Sequence, residues 1–214
     1  MDPKTLAAYD EKGAQYADEW HAQPPPADLY AVLAHYFAPG LTADVGSGSG
    51  RDAGWLAAHG FSVVGYEPSG VLLSEARRRY PHIPFRPAAL PEMAGVPSGG
   101  FQNVLCETVV MHLPRPQIPP AVRRLCELLA PAGTLYLSWR VTEGSDHRDG
   151  QGRLYTAFPP ELVRDALRGA DILHDEEVVS ASSGRRVHRL VARRTPASDW
   201  PRPVGPPKKA GDKA

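Results

Sequence analysis

A glycine-rich segment that directly follows a short apolar run constrains the fold of this chain more than any other feature. Residues 41–45 (LTADV) are typical of a buried strand, and Gly46, Gly48 and Gly50 alternate immediately after it. Glycine permits a sharp turn with positive φ and lets the backbone approach a ligand with no Cβ in the way. Since a helical run through Trp55 follows, the segment predicts a strand–loop–helix unit with a ligand at its loop.

The loop matches neither of two familiar phosphate-binding patterns. A dinucleotide fingerprint would need its third glycine where Arg51 stands, and no Gly-Lys-Ser/Thr follows as in a P-loop. Asp44 also precedes the first glycine, where a carboxylate would repel a pyrophosphate but would suit a cationic ligand. The pattern therefore indicates a different ligand, with an ordinary tight turn as the alternative.

Short apolar runs alternate with helical segments along the rest of the chain. Strands are predicted at 61–67, 83–85, 101–107 and 134–139, helices at 71–80, 121–130 and 160–169, and an antiparallel pair at 172–182 and 185–194. Such alternation predicts an α/β fold with a doubly wound parallel sheet. Ligands in these folds lie beyond the carboxyl ends of the strands, which points to the glycine loop, Glu67 and Cys106–Glu107.

The order and spacing of six segments resemble the class I S-adenosylmethionine-dependent methyltransferases, in particular their small-molecule branch. The segments are YDEKGAQY (9–16), ADVGSGSGRDAGWLAAHG (43–60), VVGYEPS (63–69), AALPEM (88–93), FQNVLCETVVMHLP (101–114) and LLAPAGTLYLSWR (128–140). The resemblance covers about residues 5–195 and implies a Rossmann-like seven-stranded sheet of order 3-2-1-4-5-7-6, with strand 7 antiparallel. It also implies S-adenosyl-L-methionine as the cofactor.

The resemblance implies a set of cofactor-binding residues. Asp44 and the backbone of Gly46, Ser47 and Gly48 would border the methionine end, and Glu67 would hold both ribose hydroxyls. Pro68, Ala89 and Leu90 would flank the adenine, and Cys106 and Glu107 would complete the site after the fourth strand. Many relatives carry an acidic residue shortly before Leu-Pro, whereas this chain has Arg86–Ala89, so backbone contacts to the adenine are expected.

The two ends of the chain differ from its middle. Leu6, Tyr9, Tyr16 and Trp20 share one face of a predicted helix, which Pro24–Pro26 separates from a second helix. We expect residues 1–40 to form a helical lid whose first helix is tied to the core mainly by that face, with Tyr9 and Tyr16 at the cofactor or acceptor. Residues 41–195 would form the methyltransferase domain, and the Pro/Lys/Gly-rich residues 196–214 a disordered tail.

Methyl transfer from a sulfonium needs alignment of the acceptor more than a dedicated catalytic residue. His112 is the candidate general base, because a neutral imidazole can accept a proton near neutral pH, although a structural role is the alternative. The long loop at 140–158 offers Arg140, His147, Arg148 and Tyr155 to an anionic or aromatic small-molecule acceptor.

Composition narrows the class of protein further. The 24 Lys and Arg balance the 24 Asp and Glu, which disfavours nucleic-acid partners held by charge. No apolar run suits a membrane span or a signal peptide, and the two cysteines suggest neither a disulfide framework nor a metal site. We expect a cytoplasmic monomer or homodimer with no metal. A non-catalytic cofactor-binding sensor or partner subunit and an aminopropyltransferase are the alternatives.

Overall fold

The computed structural model describes residues 1–195, so the predicted tail at 196–214 lies outside the described residues. Its helices are α1 (Pro3–Ala22), α2 (Ala27–Tyr36), α3 (Arg51–Ala58), α4 (Gly70–Arg79), α5 (Ile118–Leu128) and α6 (Glu161–Ala166). Its strands are β1 (Leu41–Val45), β2 (Ser62–Tyr66), β3 (Phe85–Arg86), β4 (Phe101–Cys106), β5 (Leu129–Arg140), β6 (His147–Arg148), β7 (Leu154–Tyr155), β8 (Ala170–Val179) and β9 (Arg186–Arg194).

Seven of these strands form one sheet in the order β3-β2-β1-β4-β5-β9-β8. The strands from β3 to β5 are parallel, whereas β9 is antiparallel to both β5 and β8. The predicted topology, with the chain's last strand inserted antiparallel beside the fifth, is therefore confirmed. The long loop predicted at 140–158 contains a small hairpin, because β6 and β7 pair there.

The sheet is buried on both faces because successive side chains of a strand point to opposite sides. Val104 and Cys106 of β4 belong to one apolar cluster, which α5 and α6 cover, and Leu105 belongs to the other. Leu29 and Leu33 of α2 are fully buried in the second cluster. Because α2 is thus part of the core, the prediction that all of residues 1–40 form a lid is wrong for α2, and for α1 it stays a prediction.

Local interactions fix both ends of α1. The Asp2 carboxylate caps the helix by accepting from the Thr5 amide at 2.9 Å, and Pro3 begins the helix. Farther along, Asp10 accepts from the Ser69 hydroxyl at 2.7 Å and Asp18 pairs with Arg79 at 2.5 Å. The expectation that α1 is tied to the core mainly by its aromatic face was therefore wrong, because these polar contacts hold a second face against α4.

Within residues 1–195, no helix has the length and apolar character needed to cross a membrane. In the same part of the chain, no group of three or more His, Cys, Asp or Glu side chains is placed to hold a metal ion.

Candidate active site

A cleft with a volume of about 200 Å³ opens at the carboxyl ends of β1, β2, β4 and β5, beneath α1. Of the thirteen predicted cofactor-binding and catalytic residues, seven line it, namely Tyr9, Gly46, Ser47, Gly48, Glu67, Glu107 and His112. The other six, Tyr16, Asp44, Pro68, Ala89, Leu90 and Cys106, lie outside its lining. Asp44, Leu90 and Cys106 are buried, and Tyr16 lies behind Tyr9 in an edge-on ring contact.

The glycine loop turns back over the end of β2. Its Gly46 and Ser47 amides donate to the Tyr66 carbonyl at 2.8 and 3.1 Å. Gly46 and Gly48 have φ of 74° and 54°. A Cβ at Gly46 would collide with Val109, and one at Gly48 would lie 3.1 Å from the Trp20 ring. The conformation and the close packing both require glycine at these positions, as the sequence predicts.

Glu67 joins the glycine loop to the start of α4. Its two carboxylate oxygens accept from the Gly48 and Ser69 amides, each at 2.9 Å. Burial raises the pKa of Glu67 to about 7, against the lowering effect of these two hydrogen bonds. Each oxygen keeps a second lone pair for a ligand hydroxyl, so the side chain both shapes the loop and can hold a ligand.

Three buried polar atoms near this loop have no partner within the described residues, namely Asp44 Oδ2, Ser47 Oγ and Tyr16 Oη. Burial, reinforced by the charges of Asp52 and Glu67, raises the pKa of Asp44 well above its ordinary value. Unsatisfied buried groups are costly, and a carboxyl in this state favours a cation or hydrogen-bond donor nearby. The residues present therefore fit a ligand that is cationic and bears hydroxyl groups, such as S-adenosylmethionine.

His112 contacts α1 through Tyr9. Its Nδ1 lies 2.6 Å from the Leu154 carbonyl, which can only accept, so Nδ1 carries the proton. Burial lowers the pKa of His112 to about 4, so the ring is neutral and Nε2 has a free lone pair. The Tyr9 hydroxyl, 3.0 Å away, donates to that nitrogen.

An aromatic cluster on α1 surrounds a guanidinium from the loop after β6. Tyr16 stacks on Trp20 with 5.8 Å between ring centroids and meets Tyr9 edge-on at 5.7 Å. The Arg153 guanidinium lies 4.7 Å from the Tyr16 centroid and 5.5 Å from that of Tyr9, and it pairs with Asp149 at 2.7 Å. Arg153 could not be predicted from the sequence, because its loop has no periodicity and only the length of that loop indicated a function.

The β6–β7 hairpin is attached to the first turn of α1. Arg148 donates to both carboxylate oxygens of Asp2, at 2.8 and 2.9 Å, and the Leu154 amide donates to the Thr5 hydroxyl at 2.9 Å. The predicted acceptor-binding role is therefore wrong for Arg148, which lies outside the cleft lining and holds α1 instead. His147 also lies outside the lining and stacks on Tyr155 at 5.3 Å, whereas Arg140 and Tyr155 do line the cleft.

The segment after β4 has a strained backbone. Thr108 has φ of 54°, a left-handed conformation that is rare for a β-branched residue. Its amide donates to the Ser138 carbonyl and hydroxyl at 3.2 and 3.1 Å, and that hydroxyl donates to the Glu107 carboxylate. Sequence patterns missed Thr108 and the Ser180–Ser183 turn, which also lines the cleft, because neither forms a motif.

Comparison with known proteins agrees with this geometry. Residues 43–133 match the model of a methyltransferase domain family. The structure is similar to that of Burkholderia thailandensis 1,6-didemethyltoxoflavin-N1-methyltransferase, solved with 1,6-didemethyltoxoflavin and S-adenosylhomocysteine, at a TM-score of 0.72 and 21% identity over 90% of this chain and 88% of that one. It is also similar to an S-adenosylmethionine-dependent methyltransferase from Anabaena variabilis, with TM-score 0.71 and 18% identity over 90% and 96% of the two chains.

The fold is shared with an enzyme of another kind, the [4+2]-cyclase SpnF, with TM-score 0.63 and 18% identity over 78% of this chain and 81% of that one. At these identities the structural likenesses establish the fold, and the methyltransferase domain model matches the part of the chain from β1 to the start of β5. No curated protein matches the sequence significantly.

Proposed function

Because its methyltransferase domain makes this chain a member of the class I S-adenosylmethionine-dependent methyltransferases, we propose that it methylates a small molecule bound in the cleft beneath α1. The proposal is supported chiefly by the glycine loop, whose Gly48 amide donates to Glu67, and by the Asp44 Oδ2 atom, which is buried without a partner within electrostatic range of Glu67. These groups suit a ligand with hydroxyl groups and a positive charge. S-adenosylmethionine, when bound, supplies a methyl group on a sulfonium that is already activated for displacement.

In this proposal the residues of the chain align and enclose the reactants. Glu67 accepts from the ribose hydroxyls, and the glycine loop and Asp44 meet the methionine end. The Tyr9–Tyr16–Trp20 cluster of α1 and Tyr155 of the hairpin exclude water from the reacting atoms. Alignment of this kind contributes about 7–11 kcal/mol in intramolecular analogues, so it accounts for much of the acceleration.

The cleft supports a small acceptor that is planar and carries an anionic or carbonyl group. Arg140 lines the cleft beside the Tyr155 ring, with its guanidinium 5.2 Å from that ring's centroid. Among the described residues the Arg140 guanidinium contacts the Tyr155 hydroxyl and ring but no carboxylate, so its charge is available to a ligand. The similar enzyme from Burkholderia is a 1,6-didemethyltoxoflavin-N1-methyltransferase and was solved with 1,6-didemethyltoxoflavin bound, which agrees with a small acceptor.

The proposal is tested by incubating the full chain with methyl-labelled S-adenosylmethionine and a panel of phenols, heteroaromatic N–H compounds and aromatic carboxylates. We expect acceptor-dependent formation of S-adenosylhomocysteine and transfer of the label to one chemical class. Binding of S-adenosylmethionine without transfer to any class would instead support a sensor. Consumption of an acceptor without transfer of label would indicate another reaction on the same fold.

A further inference from the structure

Two side chains that can accept a proton, those of Glu107 and His112, line the cleft after β4. They differ in whether an atom is free to accept a proton from a ligand. The lone pair of His112 Nε2 already receives the Tyr9 hydroxyl, and Nδ1 is held by the Leu154 carbonyl. Burial that lowers the pKa of His112 to about 4 also makes it a weak base. For His112 to take a proton from an acceptor, Tyr9 would first have to leave it. The histidine is therefore poorly placed for that step.

Glu107 differs in each of these respects. It is half-buried at the cleft, where its Oε2 accepts from the Ser138 hydroxyl and the Tyr136 hydroxyl also lies close to the carboxylate. No hydrogen bond to Oε1 is formed by the residues that the structure describes. The charged and titratable groups that act on it are Asp52 and Arg51 from α3, Cys106 from β4, Tyr136 from β5 and Arg189 from β9. Burial raises the pKa of Glu107 to about 7, which suits a base that works near neutral pH.

The backbone next to Glu107 is strained. The next residue, Thr108, has a left-handed conformation at φ of 54°, and its amide is fixed by Ser138. Strain of this kind persists when the surrounding structure over-determines it, and it is concentrated at functional sites. Ser138 thus fixes both the amide of Thr108 and one oxygen of Glu107, which leaves the second oxygen for a ligand.

We propose that Glu107 is the general base of the reaction and that the methyl acceptor carries an acidic proton on a planar ring nitrogen or oxygen. This inference rests on the proposed methyltransferase function. As the proton passes from the ring atom to the free carboxylate oxygen of Glu107, the electron pair left on that atom forms the bond to the methyl carbon. The bond from the methyl carbon to the cofactor sulfur breaks, with its electron pair going to sulfur. Glu107 then returns the proton to water when the product leaves.

The walls of the cleft indicate what kind of ring carries the proton. Tyr9, Trp20, Met111 and Tyr155 supply flat or deformable apolar surfaces, and Arg140 supplies a cation at the end of β5. A ring with an acidic N–H or O–H toward Glu107 and a carbonyl or anionic oxygen toward Arg140 would use both charges. Imide-like heteroaromatic rings and phenols with an ortho oxygen share this chemistry.

A binding experiment tests the recognition without turnover. The probe is lumazine, a pteridinedione with two acidic N–H groups, titrated into the full chain saturated with S-adenosylhomocysteine; 1,3-dimethyllumazine, which lacks both protons, is the comparison. At about pH 7.5 we expect lumazine to bind at least about tenfold more tightly, because a site built to accept a hydrogen bond discriminates against a ligand without the donor. The preference should fall below about threefold in Glu107→Gln. An equal preference in both proteins, or no binding of lumazine, would overturn the assignment.

A kinetic experiment separates this inference from the proposed function. With whichever acceptor class the panel identifies, kcat/KM of the wild type should rise with pH up to a limb near 7, and Glu107→Gln should lose both the limb and at least about a hundredfold in rate. Glu161→Gln, an exposed change on α6, is the matched control and should keep the wild-type profile. Unchanged affinity for S-adenosylhomocysteine would show that the cofactor site of Glu107→Gln is intact. Transfer that persists in Glu107→Gln with the same pH limb would refute the base while leaving the methyltransferase function standing.

Discussion

The Tyr9 hydroxyl of α1 donates to His112 Nε2 at 3.0 Å, and this hydrogen bond joins the helix over the cleft to the segment that follows β4. The acceptor nitrogen is defined because the other ring nitrogen faces the Leu154 carbonyl. Leu154 in turn donates to Thr5 of α1. The helix and the β6–β7 hairpin are therefore held together around a neutral histidine, so closure of the cleft depends on contacts that are polar as well as aromatic.

Removing the hydroxyl of Tyr9 should lower the stability of the protein, whereas removing that of Tyr16 should not. Tyr9→Phe leaves the buried Nε2 of His112 unsatisfied, so it should lower the free energy of unfolding by about 1–2 kcal/mol. Tyr16→Phe removes a buried hydroxyl that has no partner and should leave stability unchanged or raise it. Thermal melting of the ligand-free proteins measures both.

The same pair of variants tests the predicted cofactor contact. If the Tyr16 hydroxyl meets the methionine end of the cofactor, then Tyr16→Phe should weaken S-adenosylhomocysteine binding several-fold while its melting temperature is maintained. A Tyr16→Phe protein that melts lower and binds normally would show that Tyr16 serves packing alone.

Glu67→Gln should weaken binding of S-adenosylhomocysteine by at least about tenfold, because a charged acceptor at the ribose is replaced by a neutral one that can accept at only one atom. Since the carboxylate also receives the Gly48 and Ser69 amides, some loss of stability should accompany the change. Calorimetric titration measures the affinity and a melting curve the stability. A variant that is destabilised but binds with wild-type affinity would restrict Glu67 to shaping the loop.

Breaking the ion pair between Asp2 and Arg148 should loosen the first turn of α1. We expect Arg148→Gln to accelerate tryptic cleavage after Lys4 and Lys12 in the ligand-free protein, and S-adenosylhomocysteine to slow it again. Arg168→Gln, which alters an exposed pair on the surface, is the control. Cleavage that is unaffected by Arg148→Gln or by the ligand would mean that α1 is fixed core rather than a lid.

The raised pKa of Glu107 should make the free energy of unfolding depend on pH. Its pKa is about 7 in the fold, above the ordinary value of 4.5, so between these values the folded state binds more protons than the unfolded state. Protonation of Glu107 in the folded state therefore stabilises the wild type at low pH, and this part of the free energy of unfolding is lost as pH rises from about 5 to 8. Glu107→Gln lacks the effect, so its stability relative to the wild type should increase by about 2 kcal/mol over that range.

Glu67 and His112 also titrate in or near this interval, but they are present in both proteins and cancel in the difference. Denaturant unfolding of the two proteins at several pH values gives the measurement. A difference in stability that is independent of pH would show that Glu107 titrates as an ordinary exposed carboxyl.

The sequence predicts the sheet and the glycine loop well because their patterns are local. Glycines with positive φ, Ser69 as the cap of α4 and the alternation of apolar runs each leave a signature within a few residues. The position of Glu67 at a strand end was likewise evident. Its hydrogen bonds to the Gly48 and Ser69 amides were not, because they depend on how the loop closes.

The contacts that the sequence could not predict join segments far apart in the chain. Arg148 was assigned to the acceptor, but it pairs with Asp2, which no local pattern indicates. The contact of Arg153 with the Tyr9 and Tyr16 rings of α1 likewise leaves no local pattern in the sequence. Thr108 has a left-handed backbone conformation that is rare for a β-branched residue. Residue preferences would therefore not predict this conformation, which lies next to the proposed general base.

The most direct test of the account is calorimetric titration of the full chain with S-adenosylhomocysteine and with NAD, in the wild type, in Gly48→Val and in the control Gly70→Ala. A Cβ at Gly48 meets the Trp20 ring and opposes a φ of 54°, whereas one at Gly70 meets nothing within 4 Å. We predict one-to-one micromolar binding of S-adenosylhomocysteine that Gly70→Ala keeps and Gly48→Val abolishes, with no binding of NAD. No binding of S-adenosylhomocysteine by the wild type, or NAD binding that Gly48→Val abolishes, would contradict the assignment of this cleft.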